Sequence, residues 1–261
     1  MQPASSVDPI LVVERIVLAF GGLTVLNGVS LHVNAGELFA LIGPNGAGKT
    51  SVFNCISGLY RPSSGRIIIK GNDVGGLKPY QVAELGLART FQHGELFPHM
   101  SVMDNLLTAR HARVRTGALA ELMRLPSVRR EEERHRAAVD LIIKFVELER
   151  YRDTVVGDLS FGLQKIIGFA RALAAQPSLL MLDEPSAGLS RDERENLAYF
   201  ILKSKSDLGL PVIWIEHDME MVSDLADRIH VLDYGRSLAE GLPGDVLANA
   251  EVIKAYLGQA G

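Results

Sequence analysis

One cysteine stands among the 261 residues, so Cys55 has no partner within the chain and a fold stapled by disulfides is excluded. That usage fits a reducing cytoplasm, and Cys55 is expected to serve as a small buried apolar residue rather than a reactive thiol. Long apolar runs are also missing. The longest, residues 166–182, is broken by Arg171, Gln176 and Pro177, short of the roughly 20 residues that a membrane span needs. Nor is there an excess of positive charge. The 27 Lys and Arg against 31 Asp and Glu leave a formal net charge of −4, so no overall positive field is available to hold a nucleic-acid backbone, and no nucleic-acid partner is expected. Residues 1–10 lack the basic start and apolar core of a signal peptide and are expected to form a loose tail before one domain over 11–261. Internal repeats and low-complexity segments are absent. What remains is an ordinary globular composition, 47% hydrophobic, with bulk enough for a substantial core.

Against that background residues 43–50, Gly-Pro-Asn-Gly-Ala-Gly-Lys-Thr, stand out, because they match G-x-x-x-x-G-K-[ST] at every fixed position. A loop of this kind turns backbone N–H groups inward as an anion nest, and the helix that follows adds its positive end. Gly43, Gly46 and Gly48 permit the tight turn, with Pro44, Asn45 and Ala47 between them. Lys49 is placed to reach the β- and γ-phosphates, the Thr50 hydroxyl to hold Mg²⁺, and Ser51 to extend the phosphate contacts. The apolar run 38–42 before the loop reads as a buried strand and 50–56 after it as a helix. The pattern predicts binding of a nucleoside triphosphate.

Strands are expected over 11–20 and 29–33, with turns at Gly21-Gly22 and residues 34–36, then over 65–71 and 87–92. From Ser101 to about Arg152 the pattern turns helical, with Ser101 and Asp104 as a capping box and apolar spacing over 131–146. The charged run 129–136 reads as a solvated helix face, with Glu132 and Arg136 four apart in the favourable order. Strands at 179–182, 212–216 and 228–232 then alternate with helices at 191–204 and 219–226. The expected class is α/β, a phosphate-loop core with a mostly parallel sheet, an antiparallel portion at the N-terminus, and a helical subdomain inserted at about 95–175.

Four apolar residues, 179–182, run into Asp183-Glu184-Pro185. A carboxylate ending a buried strand beside a phosphate loop is placed to hold Mg²⁺, and the next one to deprotonate an attacking water. Just upstream lies Leu159-Ser160-Phe161-Gly162-Leu163-Gln164. It resembles the signature of ATP-binding cassette (ABC) proteins, usually Leu-Ser-Gly-Gly-Gln. The order of phosphate loop, Gln92, signature, Asp183-Glu184 and His217 is similar to the whole cassette over nearly all of the chain.

The resemblance implies the ABC ATPase fold, with ATP and Mg²⁺ as ligands. It implies that Phe20 stacks on adenine, that Gln92 joins Thr50 and Asp183 at the metal, and that Glu184 is the catalytic base. His217 and Lys49 then act on the γ-phosphate. Ser160 and Gly162 form a second anion site that closes over ATP held by another subunit, with residues 186–190 crossing the interface. Phe161 and Leu163 depart from the usual signature, and Ser190 stands where Asp is common.

Finer stretches resemble the ATP-binding subunits of branched-chain (hydrophobic) amino acid importers: Phe53-Asn54-Cys55-Ile56-Ser57-Gly58, Arg89-Thr90-Phe91-Gln92-His93, and the ending Val252-Ile253-Lys254-Ala255-Tyr256-Leu257-Gly258. The implied partners are two integral-membrane permease subunits, a second ABC ATPase subunit (identical or a paralogue) and, indirectly, an external substrate-binding protein, at the cytoplasmic face of the inner membrane. The cargo never touches such a chain, so urea, short amides and aromatic acids stay open beside the hydrophobic amino acids. An exporter ATPase and a soluble non-transport cassette protein remain alternatives. A nucleotide kinase would share the phosphate loop without needing residues 159–162 or His217.

Overall fold

Two glycines make the first turn: Gly21 and Gly22 both take positive φ, 52° and 89°, and close a two-residue hairpin between β1 (Leu11–Phe20) and β2 (Leu23–Val33). Such a turn sends the chain straight back into pairing, Phe20 opposite Leu23 and Leu18 opposite Leu26, so β2 begins at Leu23 and not at the expected residue 29. This identification of the hairpin comes from a computed structural model that describes residues 9–90, 96–111 and 126–257. A bulge between Val13 and Ile16, with Arg15 at φ 44°, resets the alternation of β1 and keeps Leu11, Val13, Ile16 and Leu18 all facing inward. With β4 (Ser64–Ile69) and β5 (Asn72–Asp73) these strands form an antiparallel sheet in the order β2-β1-β4-β5.

The second sheet has the order β10-β9-β3-β8-β7-β6, built from β3 (Leu38–Ile42), β6 (Leu87–Thr90), β7 (Leu179–Asp183), β8 (Val212–Ile215), β9 (Arg228–Asp233) and β10 (Arg236–Gly241). β3 lies parallel to both β8 and β9, and β7 parallel to β8, while β10 is an antiparallel edge that the sequence pattern did not announce. Every residue of β3, β7 and β8 is buried, which is why they read as unbroken apolar runs. One core cluster joins both sheets around α1 (Lys49–Ile56): Leu11, Ile16 and Ile67 from the first, Phe39, Met181 and Ile213 from the second, and Val52, Phe53 and Ile56 from the helix.

The chain divides into two compact units. The first holds both sheets and comprises residues 1–89, 178–187 and 198–261; the second comprises 90–177 and 188–197. Within the second, α3 (Val102–Thr108), α4 (Pro126–Phe145) and α5 (Phe161–Ala174) bury Val102, Leu106, Val139, Ile143, Ile166 and Phe169. Of the helical pattern expected from 101 to 152, residues 112–125 lie outside the described residues, and after α4 a 3-10 turn at Glu149–Tyr151 interrupts it. Ser101 does cap α3, accepting from the Asp104 N–H at 3.1 Å, and Arg136 pairs with Glu132 at 2.9 Å on the exposed face of α4. The remaining helices are α2 (Pro79–Glu84), α6 (Arg191–Leu208), α7 (Met219–Leu225), α8 (Pro243–Leu247) and α9 (Ala250–Leu257). Among the described residues no helix is long and apolar enough to cross a membrane.

Cys55 lies buried on α1, where burial pushes its thiol up to about 12. At neutral pH the folded protein should therefore resist a thiol-specific disulfide reagent and react only once denatured. Stoichiometric labelling of the native chain would show that α1 opens readily.

Candidate functional site

The carboxyl ends of β3, β8 and β7 stand side by side, because Leu41 pairs with Ile215 and Ile215 with Asp183. Whatever follows each strand therefore meets at one sheet edge, the usual binding crevice of an open parallel sheet. Residue 43 opens the loop after β3, Glu184 follows β7, and Glu216 and His217 follow β8.

The loop at 43–48 folds around its own backbone, with the Ala47 N–H donating to the Pro44 carbonyl at 3.1 Å and Gly235 N–H to the Ala47 carbonyl at 2.9 Å. Leu26 of β2 braces it, since a Cβ on Gly48 would come within 2.8 Å of the Leu26 Cδ2. Gly48, at φ 102°, is the N-cap of α1, and no side chain caps that end. The first turn of α1 also carries no acidic residue, so its N–H groups remain available to an anion. Lys49 is buried and donates to the Gly43 and Pro44 carbonyls at 2.6 and 3.0 Å. Burial pulls its ammonium down, and the nearby Glu184 and Asp183 charges offset part of that. Asn45, Gly46 and Thr50 are exposed and Ser51 half-buried, an arrangement that leaves the mouth of the nest open.

Asp183 is only 5% exposed, and Arg89 of β6 reaches it with an N–O distance of 2.8 Å. Glu184, by contrast, is half-buried and follows the last residue of β7. It adopts φ 47°, rare for a residue with a long side chain, and its N–H is held by the Ile215 carbonyl at 3.0 Å. The consequence is that its carboxylate meets the His217 Nε2 at 2.9 Å, although the two are 33 residues apart. Glu216 is buried behind them and accepts from the His217 N–H at 2.8 Å, fixing the backbone that presents the imidazole. Lys49, Asp183, Glu184 and His217 thus come together in the first unit, around an uncapped helix start. Such a set can bind a polyphosphate and activate a water beside it.

Phe20 stands 48% exposed at the end of β1, its ring edge-on to Tyr60 with centroids 5.2 Å apart. Ser160 and Gly162 belong to the second unit. Ser160 caps α5, accepting from the Leu163 N–H at 3.4 Å, and Phe161 is exposed. Glu193 is held by hydrogen bonds from the Ser190 N–H and hydroxyl, both at 2.9 Å, and from the Gly162 backbone, which keep its carboxyl below the usual range. Ser190 therefore works as the cap of α6, a role the hydroxyl fills as well as Asp would. Gln92 lies outside the described residues. Arg89, Glu193 and Tyr60 were not read from the sequence as site residues. A guanidinium within the otherwise uncharged strand β6 was the one available signal, and it said nothing of its partner.

Two family profiles match the chain: the ABC transporter profile over residues 26–187, and one described as branched-chain amino acid ATP-binding cassette transporter over 236–261. The chain is similar to the high-affinity branched-chain amino acid transport ATP-binding protein BraF of Pseudomonas aeruginosa, 41% identical over 252 residues, spanning 97% of this chain and 99% of that one. It is 39% identical to LivG of Escherichia coli, named in the same way, over 97% and 99% of the two chains. Among solved structures it resembles an ATP-binding cassette of an ABC transporter in its ADP conformation, with a TM-score of 0.84 and 31% identity over 96% of this chain and 99% of the other. A nucleotide-free ATP-binding cassette from an ABC transporter gives a TM-score of 0.83 at 30% identity, over 96% and 100% of the two chains.

Proposed function

The chain is an ATP-binding subunit that belongs to the ABC transporter family, and from that premise we propose that it hydrolyses ATP to drive import of branched-chain or other hydrophobic amino acids. The observation that carries the chemistry is the meeting of Glu184 and His217, 2.9 Å apart, beside a phosphate loop whose helix start no side chain caps.

Glu184 takes the proton of a water aligned on the γ-phosphate, and His217 holds Glu184 in place while its imidazole faces the transferring group. Lys49, already stripped of most of its water, exchanges its two carbonyl partners for phosphate oxygens as the nucleotide enters. Phe20 offers its exposed face to adenine. Thr50, Asp183 and Gln92 would hold Mg²⁺. Hydroxyl and carboxylate oxygens suit that hard cation. When bound it neutralises charge on the phosphate oxygens. Ser160 and Gly162 serve the ATP of a second cassette subunit, so ATP closes the pair and hydrolysis reopens it. The subunit works on the cytoplasmic face of the inner membrane against two permease subunits, with an external binding protein delivering the cargo.

Affinity purification from native membranes tests this reading. Two polytopic subunits and a second cassette protein should accompany the chain, and transport of leucine, isoleucine or valine should fail when the chain is deleted. Recovery of soluble partners alone, of ribosomes or DNA, or of an export apparatus would overturn the importer assignment.

A further inference from the structure

The guanidinium of Arg89 is the most elaborately held side chain near the site to which the mechanism above gives no part. β6 alternates, so Leu87, a core residue, and Arg89 share one face of the sheet, the face that α1 covers. Asp183 lies on that same face, two positions beyond Met181 of the same core cluster. Sheet order makes β6 and β7 neighbours. The Arg89 side chain is 7% exposed and that of Asp183 6%. One fork of the guanidinium, Nη2, donates to the Asp183 Oδ2 at 2.8 Å. The other, Nη1, donates to the Asn54 Oδ1 at 2.7 Å and to the Ser57 hydroxyl at 3.1 Å, both at the end of α1. The plane also lies over the Phe53 ring, 5.6 Å from its centroid.

This is more than charge compensation. A carboxylate that accepts a charge-assisted bond at one oxygen is restrained in orientation, and the direction of its second oxygen is restrained with it. Because the same guanidinium is tied to the helix that begins with Lys49 and Thr50, the Asp183 carboxylate is indexed to the phosphate loop and not only to its own strand. We propose that Arg89 is a positioning residue for the hydrolytic site: it locks Asp183 with one oxygen committed and the other turned to the metal that accompanies ATP, in register with Thr50. A lysine cannot substitute, because an ammonium lacks the planar fork that spans Asp183 and α1 together. The inference rests on Asp183 facing that metal, as proposed above.

The decisive measurement is the Mg²⁺ concentration that half-saturates the complex of the protein with a fluorescent trinitrophenyl-ATP, read beside analogue affinity in EDTA and the thermal midpoint. Arg89→Gln and Arg89→Lys should each raise that Mg²⁺ concentration by about 10–100-fold, as loss of a group orienting a metal ligand does, while affinity in EDTA stays near wild type. Should the glutamine variant fail to fold, the lysine variant, which keeps the charge, decides alone. Asn54→Ala, which frees the guanidinium from α1, should shift the constant in the same direction by less. A lowered thermal midpoint with an unchanged Mg²⁺ constant would make Arg89 a purely structural clamp and overturn the proposal. So would tighter Mg²⁺ binding, which would mean that Arg89 competes for Asp183. Asp183→Asn separates the two levels: if it leaves the constant unchanged, the metal assignment itself falls, whereas a shift there with none at Arg89 removes only the positioning role.

Discussion

Glu184→Gln should lower ATP turnover by about 10²–10⁴-fold, the range for loss of a positioned general base, while leaving nucleotide affinity intact. The amide is isosteric with the carboxylate and can still meet His217 Nε2, now 2.9 Å away. The backbone strain at φ 47° is the same for either residue, and the thermal midpoint should hardly move. What disappears is the site that accepts the water's proton. With hydrolysis blocked, ATP would also hold two cassettes together, so light scattering should show a dimer in the presence of ATP that disperses only when nucleotide is removed. Steady-state phosphate release at the wild-type rate would take Glu184 out of the base role. Slow release without an ATP-dependent dimer would keep the base and remove the shared-nucleotide mechanism.

Gly43→Ala should abolish nucleotide binding by a different route. Gly43 sits at φ 150°, and a Cβ there would overlap the backbone carbonyl of Leu232 and come within 3.2 Å of the Ala47 Cβ. Leu232 belongs to β9, which is paired with β3 through Ile42 and Val231, so that carbonyl cannot retreat without breaking sheet register. The loop must move instead, and the carbonyls of Gly43 and Pro44 that seat Lys49 move with it. We expect a loss of stability of about 1–3 kcal/mol from the overpacking, together with loss of detectable ATP-analogue binding. Gly46→Ala is the contrast. Gly46 is at φ 80° with nothing within 4 Å of its would-be Cβ, so only the left-handed strain of about 1–2 kcal/mol applies and the nest keeps its shape. Equal binding by the two variants would show that the Leu232 contact does not shape the loop.

The parts of the site that were legible in advance are the parts whose chemistry is local. A nest for phosphate needs glycines, a lysine and a hydroxyl within eight residues, and a buried strand that must end in carboxylates writes both facts into consecutive positions. Residues 43–50 and Asp183-Glu184 could therefore be read directly, whereas His217 entered only through the resemblance to the order of cassette motifs. The sequence pattern places the second strand only over 29–33, and it is the Gly21-Gly22 hairpin that shows pairing to resume at Leu23. The antiparallel edge β10 and the helices α8 and α9 went unread. Their faces are short and half-buried, and they take their place from packing more than from periodicity.

By itself, then, the sequence determined that this protein has a phosphate loop, an acidic strand end and an α/β core, since each follows from spacing within a few residues. Tertiary structure alone decided which groups face each other. The Arg89–Asp183 ion pair joins residues 94 apart, and the Glu184–His217 contact joins residues 33 apart. Both pairings depend on the strand order β3-β8-β7-β6 and on the residue-by-residue register of that sheet. Register is set by the burial of every side chain on both faces at once, a condition distributed over the whole core and carried by no single stretch of it.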